Sequence, residues 1–163
     1  MPKENGHLPL FGPGPLYVGV IVAFTVSAPA LSRLGAIPRI TAEAAALPLR
    51  IVGMALVALG VALWVSAVFL ARIDDGIKVN RLVTDGVYSV VRNPIYSAFA
   101  LVCTGAVLVH GNLWLLVPPP LFWAFLTVLM RATEERWLLE LHGPEYEEYC
   151  RRVNRCIPWF PRR

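Results

Sequence analysis

Four long apolar stretches without charged side chains dominate the chain. The first predicts a helix from Leu16 to about Leu34, and the second predicts a helix over Ile51–Leu70. The third and fourth lie between Arg92 and Arg131, where thirty-eight consecutive residues include no Asp, Glu, Lys or Arg. At a rise of about 1.5 Å per residue, about twenty residues cross the roughly 30 Å hydrocarbon core of a bilayer. Because backbone groups in lipid must form hydrogen bonds within the protein, we expect these stretches to be helices.

The tripeptide His110–Asn112 separates the third stretch from the fourth and predicts a tight polar turn between two antiparallel helices. Three prolines, Pro118–Pro120, follow this turn, and three prolines cannot lie inside a regular helix. Two interpretations are open. Either Leu113–Val117 is a short irregular entry segment, or the fourth helix starts near the last of these prolines and projects beyond the membrane through Glu134 and Glu135. We favour the second.

The C-terminal part has the pattern of short helices outside the hydrocarbon core. Gly143-Pro144 ends the preceding helix, Glu145–Val153 has an amphipathic pattern, and Pro158 ends that segment. The sequence therefore predicts an all-α integral membrane bundle of about four transmembrane helices with a C-terminal cytoplasmic helical segment.

Composition indicates a membrane rather than an aqueous environment. Hydrophobic residues make up 56% of the 163 residues and charged residues only 16%, whereas soluble domains carry about 25% charged residues. A chain this short has too little interior to bury so much apolar surface from water. The net charge of +4 comes from Lys and Arg residues that flank the apolar stretches, which suits anionic lipid headgroups and not nucleic acid. The three cysteines have no zinc-binding spacing, so no metal site is predicted.

The distribution of basic residues predicts the orientation in the membrane. With both termini in the cytoplasm, twelve of the fifteen Lys and Arg residues lie on the cytoplasmic side. Only Arg33, Arg39 and Arg50 lie on the other side. The positive-inside rule therefore predicts cytoplasmic N- and C-termini.

Two segments at the predicted membrane boundary are richer in polar and aromatic residues than anchoring requires. In the first, Asn93-Pro94 has the pattern of an N-cap followed by proline at the first helical position, and Tyr96 falls on the same side of this helix start. In the second, Glu134 and Glu135 lie at the end of a membrane helix, where charge is costly and tends to mark function.

A purely structural interpretation of both segments is also open. In the first, Arg92 would extend to the lipid interface, and Tyr88 and Tyr96 would belong to the belt of interfacial aromatic residues. In the second, Arg131 would pair with Glu135 at i, i+4, and the charged residues after them would form a solvated face.

Together the two segments resemble motifs of the isoprenylcysteine carboxyl methyltransferase and phospholipid methyltransferase family of membrane enzymes. The resemblance rests on Gly86, Tyr88, Arg92, Asn93, Pro94 and Tyr96 in the first segment and on Glu134, Glu135, Leu138, Gly143, Tyr146, Tyr149 and Pro158 in the second. It extends from about Lys78 to Phe160, roughly half of the chain. The eukaryotic prenylcysteine enzymes have histidine at the position of Asn93, whereas asparagine is common among bacterial relatives and cannot act as a titrating base.

The resemblance implies that S-adenosylmethionine is the methyl donor and binds between the hairpin and the C-terminal segment. The residues implied to bind this cofactor are Tyr88, Val91, Arg92, Asn93, Pro94, Tyr96, Glu134 and Glu135, and those implied to act in catalysis are Arg131 and Glu135. A single membrane methyltransferase domain over residues 1–163 is implied, with two scaffold helices in 1–70 and the cofactor-binding half in 71–163. The implied location is the bacterial inner membrane.

The implied reaction is methyl transfer to a lipid-like or other hydrophobic acceptor that enters from the bilayer. O-methylation of a carboxylate is favoured because it needs no base, and N- and S-methylation stay open. Two other classes of function also stay open: an NADPH-dependent membrane reductase of steroid-reductase type, and a non-enzymatic membrane module or small transporter. The short chain weighs against the reductase, and the lack of ionisable groups in the middle of the predicted spans weighs against a proton-coupled transporter. The sequence does not predict the oligomeric state.

Overall fold

A computed structural model describes residues 14–40, 43–70 and 82–159 of the chain. The elements, in chain order, are α1 (Gly14–Arg33), α2 (Glu43–Val65), a π-helical turn (Ser66–Leu70), a 3-10 turn (Gly86–Ser89), α3 (Pro94–His110), a second 3-10 turn (Leu113–Leu116), α4 (Pro118–Ala132), α5 (Glu134–His142) and α6 (Pro144–Arg152). Lys78 and Phe160, the limits of the family resemblance, lie outside the described residues.

The helices confirm the predicted membrane bundle. Three helical segments are long and apolar enough to cross a membrane: Gly14–Arg33, Glu43–Phe69 and Leu113–His142. The fourth, Pro94–His110, is apolar and has 17 residues, which corresponds to about 25 Å of helix. The chain is therefore an integral membrane protein with roughly four membrane helices followed by short C-terminal helices.

The second helix begins earlier than the sequence predicts. It starts at Glu43, eight residues before the predicted start at Ile51, and includes Pro48 and Arg50. The prediction used the first charge-free residue as the helix start. A charge marks where the hydrocarbon begins, but a helix can continue beyond that boundary into the headgroup region, so the prediction was wrong by two turns.

The turn between α3 and α4 is tight, as predicted. Gly111 has φ 77°, a left-handed conformation that favours glycine, and it ends α3. The side chain of Asn112 is buried and donates hydrogen bonds to Ser32 Oγ at 3.0 Å and to the carbonyl oxygen of Pro38 at 3.1 Å. Asn112 also accepts a hydrogen bond from the backbone N–H of Ile40. This residue therefore fastens the hairpin to the connection between α1 and α2.

Both sequence interpretations of the proline run are partly right. A 3-10 entry segment precedes α4, and α4 starts at Pro118, so the three prolines occupy the first turn. The N–H groups of a first turn have no partner within the helix, so prolines are tolerated there. The helix does not continue unbroken through Glu134 and Glu135, because Thr133 has φ −128° and ψ −89° and separates α4 from α5.

Helices α2 and α3 pack closely along their length through small residues. A Cβ on Gly53 would lie 2.7 Å from the carbonyl oxygen of Gly105, and a Cβ on Gly60 would lie 2.8 Å from that of Ala98. Glycines seven residues apart lie on one helix face and let two backbones approach, although they do not form a Gly-x-x-x-Gly motif. This contact fixes the position of α3, whose first residues contribute to the candidate site.

Candidate functional site

The candidate site lies at the end of the bundle where α3 begins and α4 ends, which we call the site end. Two chain segments run side by side there in parallel. The backbone N–H of Arg92 donates to the carbonyl oxygen of Asn154 at 2.9 Å, and that of Trp159 donates to the carbonyl oxygen of Val90 at 3.2 Å. The side chain of Val91, between them, is fully buried. The segment after α6 is therefore fixed beside the residues that precede α3.

Asn93 links the two segments through its side chain. Helix α3 begins at Pro94, as predicted, but the Asn93 side chain forms no capping hydrogen bond. Its amide nitrogen donates instead to the carbonyl oxygen of Arg155 at 3.0 Å, and its backbone N–H donates to the same oxygen at 3.2 Å. The N-cap prediction is right in position, but the side-chain oxygen accepts no capping hydrogen bond, and the bond that the amide nitrogen donates to the C-terminal segment fixes the side chain instead.

Glu135 is held by two arginines. Its Oε2 accepts a hydrogen bond from Arg155 Nη2 at 2.9 Å, and Arg155 Nε donates to Oε1. Arg92 Nη1 lies 3.1 Å from the same Oε1. The side chain of Glu135 is only 16% exposed, so its charge is balanced mainly by these two guanidinium groups. The hydrogen bonds to Glu135 also raise the pKa of Arg155.

The side chain of Arg92 is buried, which contradicts the interfacial position considered from the sequence. It is 7% exposed, and Nη1 contacts Glu135, the hydroxyl oxygen of Tyr146 at 3.5 Å, and the sulfur of Cys150. Its Nε has no hydrogen-bond partner among the described residues. The carboxylate of Glu135 favours this buried position over an extended one at the lipid surface.

Tyr96 and Glu134 meet across the hairpin. The Tyr96 hydroxyl donates to Glu134 Oε1 at 2.6 Å, which is short enough for a strong charge-assisted hydrogen bond. This is the one hydrogen bond that Glu134 accepts among the described residues. A carboxylate has about four acceptor positions, so Glu134 retains capacity for a ligand.

Tyr88 completes this group. The Tyr149 hydroxyl donates to the backbone carbonyl of Tyr88 at 2.6 Å, which fixes the 3-10 turn against α6. Burial raises the pKa of the Tyr88 phenol, and the charge of nearby Glu134 raises it further. Tyr88 is therefore a neutral hydroxyl at physiological pH, able to donate a hydrogen bond. We call Tyr88, Tyr96 and Glu134 the open cluster, and Arg92, Glu135 and Arg155 the closed cluster.

Arg131 is exposed on the last turn of α4. It forms no ion pair with Glu135, and among residues 14–40, 43–70 and 82–159 no acidic side chain lies within ion-pair distance of it. The i, i+4 pair considered from the sequence is wrong, because Glu135 is bound by Arg92 and Arg155 instead. The non-helical φ and ψ of Thr133 also interrupt the helix between Arg131 and Glu135.

The structure thus divides the predicted site residues into three groups. Tyr88, Tyr96 and Glu134 form the open cluster. Arg92 and Glu135 belong to the closed cluster, with Asn93 bonded beside it. Val91 and Pro94 are buried, and Arg131 is separate and exposed. Sequence reasoning missed Arg155, which lies twenty residues from Glu135 in the chain. The sequence contains one indication of such a residue, because a partly buried acid at a membrane boundary requires a basic partner.

Comparison with known proteins identifies related membrane methyltransferases. The sequence model of the phospholipid methyltransferase family matches residues 48–145. The protein-S-isoprenylcysteine O-methyltransferase of Schizosaccharomyces pombe is 35% identical over 85 residues, which is 52% of this chain and 36% of that protein. The methanethiol S-methyltransferase 1 of Bradyrhizobium diazoefficiens is 34% identical over 79 residues, 48% of this chain and 27% of that protein.

A rice relative, a probable protein-S-isoprenylcysteine O-methyltransferase of Oryza sativa subsp. indica, is 32% identical over 82 residues, 50% of this chain and 42% of that protein. The matches thus span less than half the length of these curated relatives. No solved structure matches the chain. Because the family match covers more than half of the sequence and includes both predicted motif regions up to Glu145, the chain belongs to the phospholipid methyltransferase family.

Proposed function

We propose that this chain transfers a methyl group from S-adenosylmethionine to a hydrophobic acceptor at the membrane boundary. The observation that carries the proposal is the 2.6 Å hydrogen bond in the open cluster, which joins the phenol of Tyr96 in α3 to the carboxylate of Glu134 in α5 at one end of an apolar bundle. The family to which the chain belongs uses this methyl donor. Family membership also favours methyl transfer over the reductase and transporter alternatives.

The open cluster fits the polar groups of the donor. Within the described part of the chain Tyr96 alone donates to Glu134, which leaves acceptor positions for ribose hydroxyls or for the α-ammonium group. The rings of Tyr88 and Tyr96 suit a cationic ligand, since a cation over an aromatic face is attracted by about 0.5–2 kcal/mol. The donor supplies a methyl group that its sulfonium already activates. The residues of the chain therefore have to bind the donor and the acceptor, orient them and exclude water. Orientation alone can lower the activation barrier by about 7–11 kcal/mol.

We assign different roles to the two adjacent glutamates. Glu134 contacts the donor, whereas both oxygens of Glu135 already accept hydrogen bonds from Arg155. Glu135 therefore acts as a positioning residue, which holds the C-terminal segment against Arg92 and thereby against the start of α3. This revises the catalytic role that the resemblance implied for Glu135.

The acceptor class that the residues favour is a carboxylate on a hydrophobic molecule. Such an acceptor needs no base, and Asn93, which cannot take a proton, donates to a backbone carbonyl. Arg131 offers an exposed guanidinium at the end of α4, where a molecule arriving from the bilayer would meet the site. A thiol is the second candidate acceptor, because one matched relative carries the name methanethiol S-methyltransferase 1.

The orientation that we propose places the site end on the cytoplasmic side. The start of α1 and the C-terminal helices lie at this same end, since Gly14 contacts Tyr96 and α5 provides Glu134. A water-soluble donor would then enter from the cytoplasm and the acceptor from the bilayer of the bacterial inner membrane.

Methyl transfer from radiolabelled S-adenosylmethionine tests the acceptor class. The purified protein in detergent would receive N-acetyl-S-farnesylcysteine in one reaction and methanethiol in another. Label in a base-labile ester supports the carboxylate, and label in dimethyl sulfide supports the thiol. A protein that binds the donor but labels neither acceptor would contradict both assignments.

Replacing Arg131 by alanine should raise the KM for the carboxylate acceptor about 10-fold or more and leave the Kd for the donor unchanged. The reason is that a charge-assisted hydrogen bond contributes about 1.5–3 kcal/mol, whereas Arg131 does not contact the open cluster. Arg136→Ala, which removes another exposed arginine one turn further along, is the matched control and should have no effect. An unchanged KM in the Arg131 variant would remove this residue from the site.

A further inference from the structure

Helix α1 contacts the open cluster directly, although the sequence indicates only a scaffold role for it. Gly14, the first residue of α1, is buried against the phenol of Tyr96. A Cβ at Gly14 would overlap the Tyr96 hydroxyl oxygen and Cε1, and it would lie 2.6 Å from Cζ. Real Cβ atoms do not approach other atoms this closely, so any side chain larger than hydrogen would displace the phenol.

Tyr17, one turn further along α1, holds the same ring from another side. Its side chain is fully buried, and its ring meets that of Tyr96 edge-on, with centroids 6.3 Å apart and an interplanar angle of 79°. Tyr17 also packs on Phe125 of α4, with centroids 5.6 Å apart. Tyr96 is therefore enclosed by α1 on one side, and its hydroxyl is bonded to Glu134 on the other.

We propose that Gly14 is a positioning residue for the methyl-donor site, an inference that rests on the proposed function. The close approach of α1 at Gly14 keeps the Tyr96 hydroxyl on Glu134 Oε1 and thereby fixes the carboxylate that we propose as the contact of the donor. Helix α1 therefore borders the site and restricts the position of Tyr96. The phenol cannot move away from a new Cβ without lengthening a hydrogen bond that is only 2.6 Å long.

A double-mutant cycle on Gly14→Ala and Tyr96→Leu tests this role, with S-adenosylmethionine affinity measured by calorimetric titration of the full chain in detergent. Gly14→Ala should weaken donor binding about 10-fold in the wild-type background. In the Tyr96→Leu background, where no phenol is left to displace, the same substitution should change the affinity less than about 2-fold. Such non-additivity is the signature of two residues that act through one contact.

Gly19→Ala is the matched control, because a Cβ at Gly19 of the same helix meets no atom of residues 14–40, 43–70 and 82–159 within 4 Å. It should leave donor affinity unchanged in both backgrounds. An equal loss for Gly14→Ala in the two backgrounds would overturn the proposal, since the glycine would then act independently of Tyr96.

Thermal unfolding keeps the test decisive if Gly14→Ala folds poorly. The smaller leucine should relieve the overlap, so the double variant should unfold at a higher temperature than Gly14→Ala alone. A double variant as unstable as Gly14→Ala would overturn the steric contact. A folded wild-type protein that binds no donor would instead refute the proposed function and, with it, the role of Gly14, while the unfolding comparison would still report on the contact.

Discussion

Replacing Glu134 by glutamine is expected to weaken the binding of S-adenosylmethionine about 10- to 100-fold. Glu134 lies at the start of α5, accepts a hydrogen bond from Tyr96, and retains acceptor positions for the ligand. Glutamine keeps the shape but removes the charge and replaces one acceptor oxygen with a donor. A hydrogen bond to a charged group contributes about 1.5–3 kcal/mol, which corresponds to the expected range of affinity.

The control for this substitution is Glu140→Gln on the same helix. Glu140 is exposed, and no described basic residue pairs with it, so its replacement should leave the Kd unchanged. Calorimetric titration gives both affinities, and thermal unfolding shows whether each variant is folded. Normal affinity in a folded Glu134→Gln variant would place the donor elsewhere.

Glu135→Ala is expected to have the second large effect, and it should lower the stability of the fold as well as the affinity for the donor. Replacing Glu135 by alanine should lower the free energy of unfolding by about 3–5 kcal/mol, because it leaves two guanidinium groups without their shared carboxylate. One of them, Arg92, is only 7% exposed and cannot reach water easily. The C-terminal segment should then separate from the residues before α3, so donor binding should fall together with stability.

Glu148→Ala provides the matched comparison for Glu135→Ala. Glu148 pairs with Arg152 at 3.8 Å on the surface of α6, and both side chains are more than half exposed. An exposed pair of this kind contributes about 0–1 kcal/mol, so its removal should scarcely change unfolding. Denaturant unfolding in mixed micelles measures both variants. Equal unfolding free energies for the two would mean that the closed cluster does not hold the site together.

Much of the bundle follows from the sequence because the bilayer imposes strict rules. Uncharged stretches of about twenty residues have to be helical, and the left-handed glycine at position 111 and the proline at position 94 mark where α3 ends and begins. The convergence of the two ends of the hairpin follows from the short turn between them. The hydrogen bond between Tyr96 and Glu134 forms because the start of α3 and the end of α4 lie side by side.

Other features depend on contacts between distant residues and could not be predicted. Arg155 is one of the two partners of Glu135, and neither the spacing nor the periodicity of the sequence distinguishes this arginine from the others in the C-terminal segment. The sequence predicts that the Asn93 side chain caps α3. Its amide nitrogen instead donates to a backbone carbonyl of the C-terminal segment, a contact that the sequence does not indicate. The contribution of Gly14 depends on how closely two helices approach, which an apolar stretch does not encode by itself.

Calorimetric titration of the purified, folded protein with S-adenosylmethionine, and separately with NADPH, shows whether the protein is a methyltransferase that binds this donor. We expect saturable binding of S-adenosylmethionine at one molecule per chain, a weaker affinity in the Glu134→Gln variant, and no binding of NADPH. A protein that shows a cooperative unfolding transition, yet gives no heat with S-adenosylmethionine or binds NADPH in its place, would contradict this expectation.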